Sequence, residues 1–181
     1  MRLRAVTATL AMLLGSSASL DGQRALSIGV AGGVSLPQGD LGDAASTGWH
    51  AIGSLWLSTL MQPMGLRLDV AHNRFGFSDE VQAALGDGDQ TTTSATLNLT
   101  YRMPSAGWPI SPYLVTGLGA YRIGCSGDPG CDASTHYGWN VGLGSRLNLI
   151  GVRSFIEARY HRTGRGDGDV HFFPITLGVM F

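Results

Sequence analysis

The chain has 181 residues, of which 14% are charged and 44% hydrophobic, and a formal net charge of −1. That is one domain's length, with fewer charges than an average soluble protein and no resemblance in composition to a helical membrane protein, so a secreted chain or a β-barrel fits best. All twelve basic residues are arginine and there is no basic excess, which excludes nucleic acid as a partner.

At the N-terminus Arg2 and Arg4 precede an apolar run over residues 5–14, followed by Gly15-Ser-Ser-Ala-Ser19. Charged start, apolar core and small residues predict a secretory signal over residues 1–19, cleaved after Ala18 or Ser19, and a barrel domain over residues 20–181. The apolar run is too short to span a bilayer as a helix, and no later run reaches about 18 residues. No cysteine stands near the cleavage site, so lipid attachment there is not expected.

Eight segments then alternate with a period of two, the signature of strands with one apolar face. Residues 26–36 set Ile28, Val30 and Val34 against Ser27, Gly29, Ala31, Gly33 and Ser35. Residues 48–58 set Trp49, Ala51, Leu55 and Leu57 against His50, Ser54 and Ser58, with Ile52 and Trp56 blurring the pattern. In 65–75, Leu66, Leu68 and Val70 oppose Arg67, Asp69 and Ala71; in 94–103, Ala95, Leu97, Leu99 and Tyr101 oppose Thr96, Asn98, Thr100 and Arg102. Residues 113–123 are ambiguous. Choosing Tyr113, Val115, Tyr121 and Ile123 as their apolar face leaves Thr116 and Arg122 on the other. Tyr137, Trp139, Val141, Leu143, Leu147 and Leu149 form the face of 136–150, and Ile156, Ala158 and Tyr160 that of 154–161. The last strand, 172–181, presents Phe173, Ile175, Leu177, Val179 and Phe181.

The joins after strands one, three, five and seven are long and rich in Gly and Asp, and those after two, four and six are short. This alternation predicts an all-β, eight-stranded antiparallel up-and-down transmembrane β-barrel, with short turns in the periplasm and four long extracellular loops. Trp49, Tyr121, Tyr137, Trp139, Tyr160 and Phe173 are expected in an outer aromatic girdle, and Tyr101, Tyr113 and Phe181 in a periplasmic one. Alternation carries no sign, so a soluble secreted barrel holding an apolar ligand in an inverted interior is the alternative reading. Pro174, which cannot donate a ladder hydrogen bond, is expected near the outer rim at an unpaired or bulged position.

Three stretches carry a family resemblance: Gly33-Val-Ser-Leu-Pro-Gln-Gly-Asp-Leu-Gly42 leading to Gly48-Trp-His, Phe155-Ile-Glu-Ala-Arg-Tyr160, and Pro174-Ile-Thr-Leu-Gly-Val-Met-Phe181. They resemble the small OmpA/OmpX-type outer-membrane β-barrel domains over residues 26–181. The resemblance implies residence in the outer membrane of a Gram-negative-type bacterium, with outer-membrane lipid and lipopolysaccharide as surroundings. It also implies that Phe181 is part of the signal read by the barrel-assembly machinery. An extracellular ligand is compatible with the long loops, but no motif in them names one.

An eight-stranded barrel is just wide enough for its interior side chains to fill it. The alternation sends Arg67, Asp69, Arg102, Arg122, Arg146, Glu157, Arg159 and His161 inward, where charges must be paired, so a polar structural plug is expected. Cys125 and Cys131 bracket Ser-Gly-Asp-Pro-Gly in an exported loop and predict a disulfide. A zinc site built from them with His136 lacks a clear fourth ligand, so no metal is expected. The Gly-Asp-Gly-Asp runs at 86–89 and 166–169 read as solvated turns before they read as cation sites.

Some small outer-membrane barrels are lipid A deacylases with a Ser/His/acid set, which makes a lipid-modifying enzyme the second alternative. His161 and Thr163 with Glu157, or His50 with Ser54, are the nearest imitations here. Glu157 and His161 face away from lipid in the expected register, so no catalytic residues are assigned. The glycines at 117, 119 and 124 miss dinucleotide spacing, so no cofactor is expected.

Overall fold

A computed structural model describes residues 24–59, 63–104, 110–126, 133–149, 152–165 and 168–181. The eight strands are β1 (Arg24–Gln38), β2 (Gly48–Thr59), β3 (Met64–Gly76), β4 (Asp89–Arg102), β5 (Ile110–Ser126), β6 (Ser134–Leu149), β7 (Val152–Arg165) and β8 (Gly168–Met180). Each pairs antiparallel with the next and β8 pairs with β1, closing a barrel without open edges. Two short helices, α1 (Asp40–Ala44) and α2 (Asp79–Leu85), sit in the long connections after β1 and β3, where a period of two gives no signal for them. Residues 1–19, expected as the export signal, lie outside the described residues.

The ladder positions settle which face is which. Ile28, Leu55, Leu68, Leu97, Leu118 and Trp139 are successive cross-strand partners, and all six point out of the barrel. Leu118 is 70% exposed and Leu177 62%, part of an apolar belt that water could not tolerate but hydrocarbon requires. Continuing the same row through Arg162 and His171 returns to β1 at Gln38, ten residues beyond its start. With eight strands, that stagger tilts them by roughly 40° to the barrel axis.

Strand β5 corrects the expected register. Tyr113, Val115, Tyr121 and Ile123 are buried in the lumen, while Leu114, Thr116, Leu118 and Arg122 face outward. Arg122 is therefore no lumen residue. It stands on the outer surface in a polar row with His72, Thr93 and Thr135, its ladder neighbours toward the loop end. The expectation erred because it took the lumen to be polar throughout, whereas large rings fill much of it. Tyr113 and Tyr121 accordingly leave the girdles, whose outward members are Trp49, Tyr137, Trp139, Tyr160 and Phe173 near one rim and Tyr101 and Phe181 near the other.

The strands also run further at the loop end than alternation indicated. Asp89-Gln-Thr-Thr-Thr93 reads as loop by polarity, yet it pairs with both β3 and β5, and threonine favours extended backbone. The connection after β7, expected over residues 162–171, is only residues 166–167, because both flanking strands extend into it. Pro174 sits at the upper edge of the apolar belt, opposite Ser35 of β1. Across β7 and β8 the ladder breaks at Arg159 and Tyr160, the residues facing Pro174 and Phe173, and resumes in the same register. The missing donor thus produces an unpaired step and no bulge.

Inward glycines explain how the large side chains fit. A Cβ on Gly144 would lie 2.4 Å from the Tyr113 ring, one on Gly178 2.5 Å from the Phe155 ring, and one on Gly117 2.1 Å from the Asn98 side chain. Each bulky lumen group lies across the bare backbone of a neighbouring strand. Gly144→Ala should therefore destabilise the folded barrel by about 1–3 kcal/mol. Gly53→Ala, where a Cβ meets nothing within 4 Å, should not. Urea titration of the two variants in detergent micelles checks both.

Candidate functional site

Polar and charged groups converge in the lumen, which is built in layers. Toward the turn end, Trp56 meets Tyr113 and Phe155 edge-on, with ring centroids 5.7 and 5.6 Å apart. These rings, with Val115 and Met180, form an apolar floor. The floor is possible because Trp56 lies over Gly29, and Phe155 over Gly178, on neighbouring strands.

Above the floor two strands that never pair meet through their side chains. Arg67 of β3 donates from both terminal nitrogens to Glu157 of β7, at 2.7 and 2.9 Å, and from Nε to Asp69 at 2.8 Å. Arg159 donates to Asp69 at 2.7 Å and also binds Glu157. Two guanidinium groups and two carboxylates thus close a neutral cycle across the barrel, every member at most 3% exposed. Spacing makes this possible: Arg67 and Asp69, like Glu157 and Arg159, are two apart on a strand and so share its inner face. Tyr113 Oη donates to Glu157 at 2.7 Å, Asn98 to Asp69 at 2.9 Å and Ser54 to Asp69 at 2.5 Å. Remaining carboxylate lone pairs are thereby used, as a buried ion cluster needs.

The next layer is uncharged at its hydrogen bonds. His50 shares hydrogen bonds with Ser35 (3.0 Å) and Thr176 (2.9 Å), and Ser35 donates to Asn73 at 2.8 Å. His161 Nδ1 and the Tyr121 hydroxyl are 3.0 Å apart, and the His161 ring stacks on Phe172 at 4.8 Å. At the loop end Phe75, Tyr121, Ile123, Val170 and Phe172 form a second apolar layer, covered by Leu41 of α1 and by Ala45 just after it.

The residues expected inside thus separate into groups. Arg67, Asp69, Glu157 and Arg159 form the cycle, and His161 lies just above it. Arg146 lies below, its guanidinium 4.8 Å from the Trp56 ring centroid, and Arg102 borders a small hollow with Tyr113 and Arg146. Arg122 is outside. Cys125 is the penultimate residue of β5, and Cys131 lies outside the described residues. Sequence reasoning missed Trp56, Tyr113, Tyr121, Phe155 and Phe172 as lumen filling. The available signal was Trp56 itself, a large ring on the face of β2 that carries His50, Ser54 and Ser58.

The imitations of catalytic sets do not assemble. Glu157 is held by two arginines and a tyrosine, His161 by Tyr121, and Thr163 donates to the carbonyl of Tyr137 at 3.4 Å. His50 engages Ser35 and Thr176, whereas Ser54 engages Asp69.

A closed antiparallel sheet with an apolar belt outside and a packed, ion-paired interior is a transmembrane β-barrel. The family model of the outer membrane protein β-barrel domain matches residues 7–181, and the chain belongs to that family. It is an outer-membrane protein of a Gram-negative bacterium. Neisserial surface protein A is similar in structure, with a TM-score of 0.60 at 18% identity, covering 87% of this chain and 97% of that one. Ail, the attachment invasion locus protein of Yersinia pestis, solved with the heparin analogue sucrose octasulfate, gives a TM-score of 0.51 at 21% identity. That match covers 88% of this chain and 99% of Ail. No curated protein sequence matches the chain.

The cycle makes its members interdependent. Glu157→Ala removes the partner shared by Arg67 and Arg159 and should cost about 3–5 kcal/mol, as breaking a buried ion pair does. Urea unfolding of the refolded barrel, followed by the mobility of unboiled protein on gels, measures it.

Proposed function

We propose that the protein is a non-enzymatic structural barrel of the outer membrane that offers its loop end as an interaction surface. The observation that carries this reading is the filled lumen. The void between the charge cycle and the His161–Phe172 layer is about 10 Å³, at the lower limit for a single water. Solutes have no path through such an interior, so what the protein does is done by its ends and its outer wall.

The two ends differ in charge. Asp40, Asp43, Asp79, Glu80 and Asp87 are all exposed at the loop end, where α1 and α2 stand. Tyr137 is 86% exposed on the same side. By the usual topology of such barrels the short turns lie in the periplasm and this acidic end outside, among lipopolysaccharide phosphates that divalent cations can bridge to carboxylates. Arg74 binds Asp89, and Arg162 binds Asp169, at the feet of these connections, which anchors them to the wall. A Cys125–Cys131 disulfide would restrain the loop beyond β5 in the same way.

Phe181 is 70% exposed at the turn end and exchanges backbone hydrogen bonds with Ile28, at 2.8 and 3.2 Å, so it joins the closing seam while its ring stays available to the assembly machinery.

An epitope placed after Gly86 should be detected on intact cells, and one placed after Met103 only after permeabilisation; the reverse pattern overturns the orientation. Purified protein in planar bilayers should show no steady conductance, and lipid A from cells with and without the gene should have the same mass spectrum. Loss of Phe181 should lower the outer-membrane level of the protein severalfold, read by fractionation and immunoblot, and an unchanged level would remove its role as assembly signal.

A further inference from the structure

The charge cycle uses two of the arginines near the lumen and leaves three others toward the turn end. Among the described residues no carboxylate is within ion-pair distance of Arg102, Arg146 or Arg153. Arg102, Arg67 and Arg153 are the charged neighbours that bear on Arg146. The cycle is already neutral, so this group carries an uncompensated positive charge.

Two buried donors in the same place also lack acceptors. Among the described residues Arg146 Nε and Trp56 Nε1 have no hydrogen-bond partner, and Trp56 is 1% exposed. Both residues line a cavity of about 210 Å³ below the apolar floor, which Arg153 and the side chains of Ser27, Ser58 and Ser111 also border. At about 30 Å³ per water, that is room for roughly seven waters or for one hydrated anion.

The chemistry missing from this cavity is an acceptor with negative charge and several oxygens. Arginine matches phosphate oxygens in a bidentate fork better than any other side chain does. The serine hydroxyls add neutral donors that an anion with several oxygens can use. Trp56 also ties the cavity to the cycle, since the Arg67 guanidinium lies over its ring at 4.3 Å from the centroid.

We propose that the turn end of the barrel is an oxyanion site that takes a phosphate group, either free or carried by an anionic lipid headgroup. Arg146 and Arg153 supply the charge, and Ser58 and Ser111 the rim. The site is independent of the interaction surface proposed above, which lies at the other end of the barrel.

The protein refolded in maltoside micelles, which contain no phosphate, is titrated with inorganic phosphate and, separately, with phosphatidylglycerol added to the micelles; binding is read by calorimetry and by ³¹P line width. Saturable binding of inorganic phosphate that weakens at least tenfold in Arg146→Gln and in Arg153→Gln supports a free-oxyanion site. Binding of phosphatidylglycerol alone, with the same losses, supports a headgroup site. Arg122→Gln, on the outer wall near the loop end, should bind as the unmodified protein does. Arg153 is exposed and unpaired, so its variant decides the matter if Arg146→Gln fails to refold. Absence of binding by either probe, or binding that both variants retain, overturns the proposal.

Discussion

The centre of this barrel depends on four buried charges that neutralise one another and are hydrogen-bonded on every side. Arg67 and Glu157 are 90 residues apart in sequence and belong to strands that never pair, yet their bidentate contact fixes the distance across the lumen. Backbone ladders hold neighbouring strands together around the circumference. The cycle is the cross-member, and it resists the flattening that a ring of ladders alone would permit. Asp69 and Arg159 complete it so that neither ion is left to face apolar walls, where an unmatched charge costs several kcal/mol.

Volume is the second constraint and follows from the first. Eight strands enclose only enough space for their own side chains, so arginines, tyrosines and a tryptophan fit only where the wall is thin. The glycines across from Tyr113, Phe155 and Asn98 provide that thinness. At these three positions residue size therefore alternates around the circumference, a large group on one strand facing a glycine on the next.

Most of the fold was legible in the sequence because hydrocarbon outside the barrel imposes a strict rule. Seven of the eight strands obeyed it, and for β3 and β4 even the inward Arg67, Asp69, Thr96 and Asn98 could be read by parity. The rule says nothing about polarity inside. In β5 both faces contain apolar residues, and the choice depended on whether Tyr113 and Tyr121 stand among lipid headgroups or fill the lumen. That question is decided by Gly144 and Gly138 on the neighbouring strand, at positions that only the register reveals. The pairing of Arg67 with Glu157 was equally out of reach, since facing inward does not specify which inward residues meet. The polar run 89–93 was misjudged for a related reason: above the lipid, strands continue on cross-strand hydrogen bonds alone, without an apolar face to mark them.

The gap at Pro174 gives the wall a seam of a particular kind. Where the β7–β8 ladder skips a step, the residue opposite is Arg159, whose side chain is anchored to Asp69 on the far wall. Stiffness lost from the backbone is supplied there from across the interior, much as a tie-rod steadies masonry at a missing course. The skipped step in the wall and a contact through the centre thus meet at one residue, so a displacement at the seam reaches the opposite side of the barrel without passing along its circumference.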